Sequence, residues 1–139
     1  MLANANVYEE RRGAVQKVSE KKLIMLVEDD EDHASMLYQV LAQEERYHVY
    51  YTTDGQTAWQ FLQYFKPHLL LLDYRLPRMD GLELYDRIRA DKELYDLPVL
   101  MVSAALPTQA VEQRGIASLE KPFEMDELLS TIDTLITSV

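Results

Sequence analysis

Apolar residues fall along this chain in short blocks that alternate between two spacings. Leu23-Ile24-Met25-Leu26-Val27, Leu69-Leu70-Leu71-Leu72 and Val99-Leu100-Met101-Val102 are unbroken runs, each ended by polar or turn-forming residues. Continuous runs of this length, bounded by turns, read as strands buried on both faces. Tyr47-His48-Val49-Tyr50-Tyr51 is aromatic and β-branched and reads as another strand, and Ile116 to Glu120 as a weak fifth. Between these runs the apolar spacing becomes helical. Ala34, Leu37, Tyr38 and Leu41 predict a helix to about Glu44. Ala58, Phe61, Leu62 and Phe65 predict one that starts at the Asp54-Gly55 turn and is ended by Pro67, with Trp59 at the edge of its packed face. Leu82, Tyr85, Ile88 and Arg89 predict a third, and Met125, Leu128, Leu129, Ile132, Leu135 and Ile136 a clean amphipathic last one. Pro107 to Arg114 offers only Ala110 and Val111, enough for a helix of about two turns closed by Gly115.

The order is strand, helix, five times over. Such alternation predicts a parallel sheet with helices on both faces, its right-handed crossovers setting every strand's carboxyl end along one edge. Ligands of open parallel sheets bind beyond that edge. Glu28 and Asp29 follow the first strand, Asp73 ends the third, Ser103 the fourth, and Lys121 follows the fifth. Glu28 to Asp32 are five consecutive acids, which is not a packing solution, although some of them can cap the following helix.

Composition narrows the class. With 139 residues and a hydrophobic fraction of 47%, the chain can build one ordinary core. There is no cysteine, so disulfides and thiolate metal sites are excluded. A formal net charge of -10 argues against direct nucleic-acid binding, which depends on neutralising phosphates. No signal-peptide pattern opens the chain, and no apolar run approaches the ~20 residues of a membrane span. The expectation is a cytoplasmic protein without membrane insertion. Residues 1–21 are polar and weakly patterned, an extension expected to be disordered or loosely docked, with a single domain over 22–139. With the chain ending just after the last helix, no output domain is expected after it.

The gathered residues define a chemistry. Three acids without cysteine or clustered histidine call for a hard cation held by oxygen, magnesium in the first place. A carboxylate nucleophile, a divalent ion, a lysine and a hydroxyl describe phosphoryl transfer onto an aspartate. A lysine paired with surplus acids and doing no chemistry is the bland alternative. His33, His48 and His68 lie in different elements with no ligand spacing, and no phosphate-binding glycine loop is present.

LIMLVEDDED, LLLLDYRLPRMDG, VLMVSAA and LEKPF together resemble the receiver domain of bacterial response regulators, the phosphoacceptors of two-component signalling, from about Lys22 onward. The resemblance implies a flavodoxin-like (βα)5 doubly wound parallel five-stranded sheet, in the stand-alone form typified by chemotaxis regulators. It implies Asp73 as phosphoacceptor, Asp29 as a direct Mg2+ ligand and Glu28 as one acting through water. The backbone carbonyl of Arg75 would be a further ligand. Ser103 would hydrogen-bond the phosphoryl group, and Lys121, before the family's cis-peptide site at Pro122, would be its cationic partner. Asp30 is a weaker candidate. The implied donor is a phosphohistidine on a sensor histidine kinase or histidine phosphotransfer protein. The output is a downstream protein target or onward phosphorelay, with no enzymatic activity beyond self-phosphorylation and autodephosphorylation.

Two departures stand out. Receivers usually place Tyr or Phe three residues before the lysine; here Ser118 stands there. The interval from Ser103 to Lys121 is about four residues short, about one turn of helix, which predicts a shortened fourth helix. These favour a rival reading, a receiver-fold scaffold that binds a partner independently of phosphorylation. A haloacid-dehalogenase-type hydrolase also uses a strand-end aspartate but needs an acid two residues on, where this chain has Arg75.

Overall fold

In the computed structural model the described residues are 21–137. The extension expected over 1–21 therefore lies, Lys21 apart, outside the described residues. The elements are β1 (Lys22–Val27), α1 (Glu31–Ala42), β2 (Tyr47–Thr52), α2 (Gly55–Leu62) and β3 (Leu69–Asp73). They continue as α3 (Gly81–Arg89), β4 (Val99–Ser103), α4 (Thr108–Arg114), β5 (Ala117–Glu120) and α5 (Met125–Thr137). All neighbouring strands pair in parallel, in the order β2-β1-β3-β4-β5. This is the flavodoxin-like order, in which the crossover reverses direction on either side of β1 and β3.

Burial explains the unbroken leucine run. Successive side chains of a strand point to opposite faces, so β3 feeds two cores in turn. Leu70 and Leu72 join Met25, Val27, Ala58, Leu62, Leu84 and Ile88 on the face covered by α2, α3 and α4. Leu69 and Leu71 join Ile24, Leu26, Leu37, Leu41, Leu128 and Ile132 beneath α1 and α5. Every residue of β3 and β4 is buried, as their central positions require.

The helix starts follow the acids. Asp30 caps α1 by accepting from the N–H groups of Asp32 and His33, Asp54 caps α2 through Thr57, and Asp80 caps α3 through Glu83. Gly115 closes α4 in the left-handed region at φ 68°. Two helices are shorter than the periodicity suggests. The first ends at Ala42, and α2 ends at Leu62, so Phe65 lies beyond it and is exposed, as is Tyr38 of α1. Leu94 and Leu97, in the turn before β4, are buried core residues outside any periodic segment. Arg89 secures that turn by donating to Leu97 O at 2.7 Å.

Gly81 decides how the chain leaves β3. Its N–H donates to Tyr74 O at 2.8 Å, and a Cβ there would sit 2.6 Å from Asp73 O and 2.9 Å from Tyr74 Cα. Both obstacles are backbone, so neither can rotate away. Gly81→Ala is expected to cost about 2–3 kcal/mol, the upper part of the overpacking range. Gly115→Ala meets nothing within 4 Å and should cost only the left-handed penalty of about 1 kcal/mol. Urea unfolding midpoints of the two variants check this order.

Candidate functional site

Four strands deliver the site at their carboxyl ends. Asp73 is the last residue of β3, Ser103 the last of β4, Glu28 follows β1 and Lys121 follows β5. Glu28, Asp73 and Ser103 are 2%, 4% and 1% exposed, whereas Asp29 lies open at the mouth. Lys121 Nζ reaches between the buried acids, 2.9 Å from Glu28 Oε1 and 3.2 Å from Asp73 Oδ2. Its backbone N–H donates to Ser103 O at 2.9 Å, which fixes the lysine against β4. The remaining carboxylate oxygens are held by backbone donors: Glu28 Oε2 accepts from Asp30 N–H at 3.3 Å and Asp73 Oδ1 from Arg75 N–H at 3.0 Å. Among the described residues Ser103 Oγ accepts one long contact of 3.4 Å, from Ala105 N–H, and its hydroxyl proton has no acceptor there. The Lys121–Pro122 peptide is cis.

Carboxylate oxygens of Glu28, Asp29 and Asp73 lie within 4.8 Å of one another. Three acids against one ammonium leave surplus negative charge in a largely buried site. Burial raises the pKa of Glu28, and nearby Asp73 adds to the rise, while the hydrogen bond from Lys121 opposes it. For Lys121, burial works against the ammonium, yet the Glu28 and Asp73 carboxylates outweigh it and the pKa is raised. An all-oxygen donor set of this charge fits a hard divalent cation. An open cleft of about 500 Å³ beside Asp29, lined also by Tyr74, Arg75, Leu76, Pro77 and Asp80, gives access from one side.

His33 is the residue that the sequence did not single out. It stands on the first turn of α1, with Nδ1 3.0 Å from Glu28 Oε1 and 3.1 Å from Lys121 Nζ. A single ring nitrogen carries either a proton for Glu28 or a lone pair for Lys121, so it can serve only one of the two partners at a time. The only signal in the sequence was its offset from Glu28 across a helix start, which metal-ligand spacing does not test. His68 proves structural, its Nδ1 accepting from Leu23 N–H at 2.9 Å, and His48 is exposed. Asp30 is committed to its helix cap and does not enter the acid cluster. The Arg75 side chain is exposed; its contribution to the site is the backbone. Ser118 is exposed on β5, and α4 is the shortest helix among the described residues.

Comparison with known proteins identifies the family of the chain. Residues 24–133 match the response regulator receiver domain family. The chain is 38% identical over 118 residues to the response regulator RppA of Synechocystis sp., covering 81% of this chain and 49% of that protein. It is 33% identical over 119 residues to the response regulator receiver protein CpdR of Brucella abortus, covering 83% of this chain and 97% of that one. The chain thus spans about half the length of the first curated relatives it matches, at 49% and 48%. Among solved structures, it superposes with a TM-score of 0.76 on the receiver domain of sensor histidine kinase PA1611 from Pseudomonas aeruginosa PAO1. That domain was crystallised with a magnesium ion coordinated in its active-site cleft; identity is 27%, covering 84% of this chain and 98% of that one.

Because the folded state raises the Glu28 pKa above its ordinary value of 4.5, folding takes up protons there as pH falls toward that value. Glu28 is then least destabilising below pH 4.5 and increasingly costly as pH rises through its folded pKa. Without divalent cations, the stability of Glu28→Gln relative to wild type is therefore expected to increase from pH 5 to pH 7. Urea titrations of both proteins at the two pH values read this sign directly.

Proposed function

Since the chain belongs to the response regulator receiver domain family of two-component signalling, we propose that it accepts a phosphoryl group on Asp73 from a phosphohistidine donor in a Mg2+-dependent reaction. The observation that carries this reading is Lys121 Nζ lodged between Glu28 and Asp73, beside a cluster of three carboxylates. Glu28, Asp29, Asp73 and the Arg75 carbonyl would hold the ion, which when bound neutralises charge on the transferring phosphoryl oxygens. The Asp73 carboxylate attacks phosphorus as the phosphorus–nitrogen bond of the donor breaks, the imidazole recovers its proton, and an acyl phosphate forms. Arg75 N–H orients the nucleophile, holding one carboxylate oxygen while the other faces the lysine. Lys121 follows the new charge from the carboxylate to the phosphoryl group, and the Ser103 hydroxyl donates to a phosphoryl oxygen.

The partners would be a sensor histidine kinase or histidine phosphotransfer protein upstream and a protein target, or a further relay step, downstream. The near-complete coverage of CpdR supports a stand-alone receiver acting in the cytoplasm, with a domain over residues 22–139. Among the described residues no helix is long and apolar enough to cross a membrane. A second reading, a scaffold that binds its partner irrespective of phosphorylation, is favoured by Ser118 and the short α4, because both remodel the β4–α4–β5 face.

Incubation with acetyl phosphate and Mg2+ is expected to add one phosphoryl group to wild type by intact mass, and none to Asp73→Asn or after chelation of the metal. No adduct on wild type favours the scaffold. Lys121→Ala is expected to fold and still accept the group, but with partner affinity no longer changed by phosphorylation. A phosphorylation-dependent gain in that variant equal to wild type refutes the role given to Lys121.

A further inference from the structure

Among the described residues, five of the six exposed aromatic side chains gather at one edge of the sheet, Tyr95 being the exception. β2 is the outer strand beyond β1, and among the described residues no strand pairs with its free side. On the α2 face, Tyr50 packs with Phe61 and Phe65 at ring-centroid distances of 6.0 Å each. On the α1 face, Tyr51 meets Tyr38 at 5.8 Å. These rings nevertheless stay open to solvent: Tyr38, Tyr50, Tyr51 and Phe65 are 37%, 46%, 38% and 39% exposed, and Tyr64 beside them 86%.

Free sheet edges are normally protected by charge, proline, bulges or brevity. The opposite edge, β5, has four residues and ends in Glu120. In contrast, β2 has six residues, Tyr-His-Val-Tyr-Tyr-Thr, with no proline and no Asp, Glu, Lys or Arg. Its outward backbone groups can be identified. Lys22 N–H donates to Arg46 O at 2.8 Å and Glu28 N–H to Thr52 O at 3.1 Å, so even-numbered residues of β2 face β1. Val49 and Tyr51 therefore turn their N–H and C=O groups to the free side.

We propose that this edge is a dimer interface, in which β2 of two copies pairs antiparallel across a two-fold axis and joins the sheets into one of ten strands. The register follows from the outward groups. Val49 of one copy exchanges both backbone hydrogen bonds with Tyr51 of the other, and Tyr50 stands opposite Tyr50 as the close, non-hydrogen-bonded pair. An aromatic patch and an antiparallel strand edge are both self-complementary, as a two-fold interface requires. The same register brings Arg46 of one copy level with Asp54 of the other, so the ends of the pair carry opposite charge. A chain of net charge -10 repels its own copy elsewhere, and the uncharged edge is where that repulsion is least. At roughly 200 Å² for each fully exposed ring, the five aromatics offer about 500 Å² per copy. A symmetric pair thus buries about 1,000 Å² before backbone and neighbours are added, near the lower bound for a specific interface. The short charged β5 edge stops the assembly at two. The interface lies away from Asp73 and does not depend on the phosphorylation reading.

Sedimentation of the full chain across the micromolar range is expected to show a species of twice the 16.2 kDa monomer mass. Tyr50→Glu sets two carboxylates directly opposite each other and should return the monomer. Since the chain has no cysteine, a Tyr50→Cys variant offers a single thiol, and the spacing of such a pair lies within disulfide range. Mild oxidation should join that variant rapidly into a covalent dimer, while Gln113→Cys on α4 reacts slowly. The crosslinking comparison decides the matter even if Tyr50→Glu fails to fold. A wild type that remains monomeric overturns the proposal, including one whose β2 amides are protected from exchange by another segment of the chain. So does a dimer untouched by a folded Tyr50→Glu, or crosslinking no faster at position 50 than at 113.

Discussion

Two carboxylates, Glu28 and Asp73, are almost fully buried, and among the described residues one ammonium reaches both. Charges removed from water are costly unless paired and hydrogen-bonded. Each carboxylate is accordingly served twice, by Lys121 and by a backbone N–H from the loop immediately after its own strand. The loops after β1 and β3 are thus part of the electrostatic solution as well as connections. Burial, with Asp73 nearby, leaves the Glu28 pKa raised in spite of Lys121.

The same constraint accounts for the local backbone. Asp73 can sit at the strand end only because the chain doubles back over it, and Gly81 permits the approach by having no Cβ to strike Asp73 O. Lys121 is fixed by pairing between β4 and β5 through the bond to Ser103 O. His33 then closes the group from α1, so four strands and one helix all bear on one charge balance. Away from this cluster lie the two departures that the sequence leads one to expect. Ser118 presents no ring to follow a movement of Ser103, and α4 spans only Thr108–Arg114. On the proposed function, chemistry at the carboxyl edge and communication from it are separable. The aromatic β2 edge, on the far side of the sheet, offers an assembly surface independent of both.

The alternation of strand and helix was legible in the sequence because each element carries its own local signal. Unbroken apolar runs mark doubly covered strands, 3.6-residue spacing marks helices, and Gly115 and Pro67 punctuate them. The gathering of Glu28, Asp29, Asp73, Ser103 and Lys121 was legible for a related reason: right-handed parallel crossovers leave one place for strand ends to meet. Where the local signal was mixed the reading slipped. Tyr38 and Phe65 fit a helical stripe by type, yet both lie outside the core, because tyrosine and phenylalanine at a sheet edge satisfy the same pattern without being buried. Leu94 and Leu97 belong to no period, since a turn buries side chains by position and not by repeat.

Sequence alone therefore determined the order of elements and the identity of the acids, the hydroxyl and the lysine, since periodicity and strand-end position are properties of neighbouring residues. Tertiary structure decided which partners those groups choose. Only packing of α1 against the fifth strand's loop brings Lys121 to His33, and only strand order leaves β2 uncovered while β5 is short and charged. Both are contacts between segments far apart in the chain, and no local pattern encodes the distance between them.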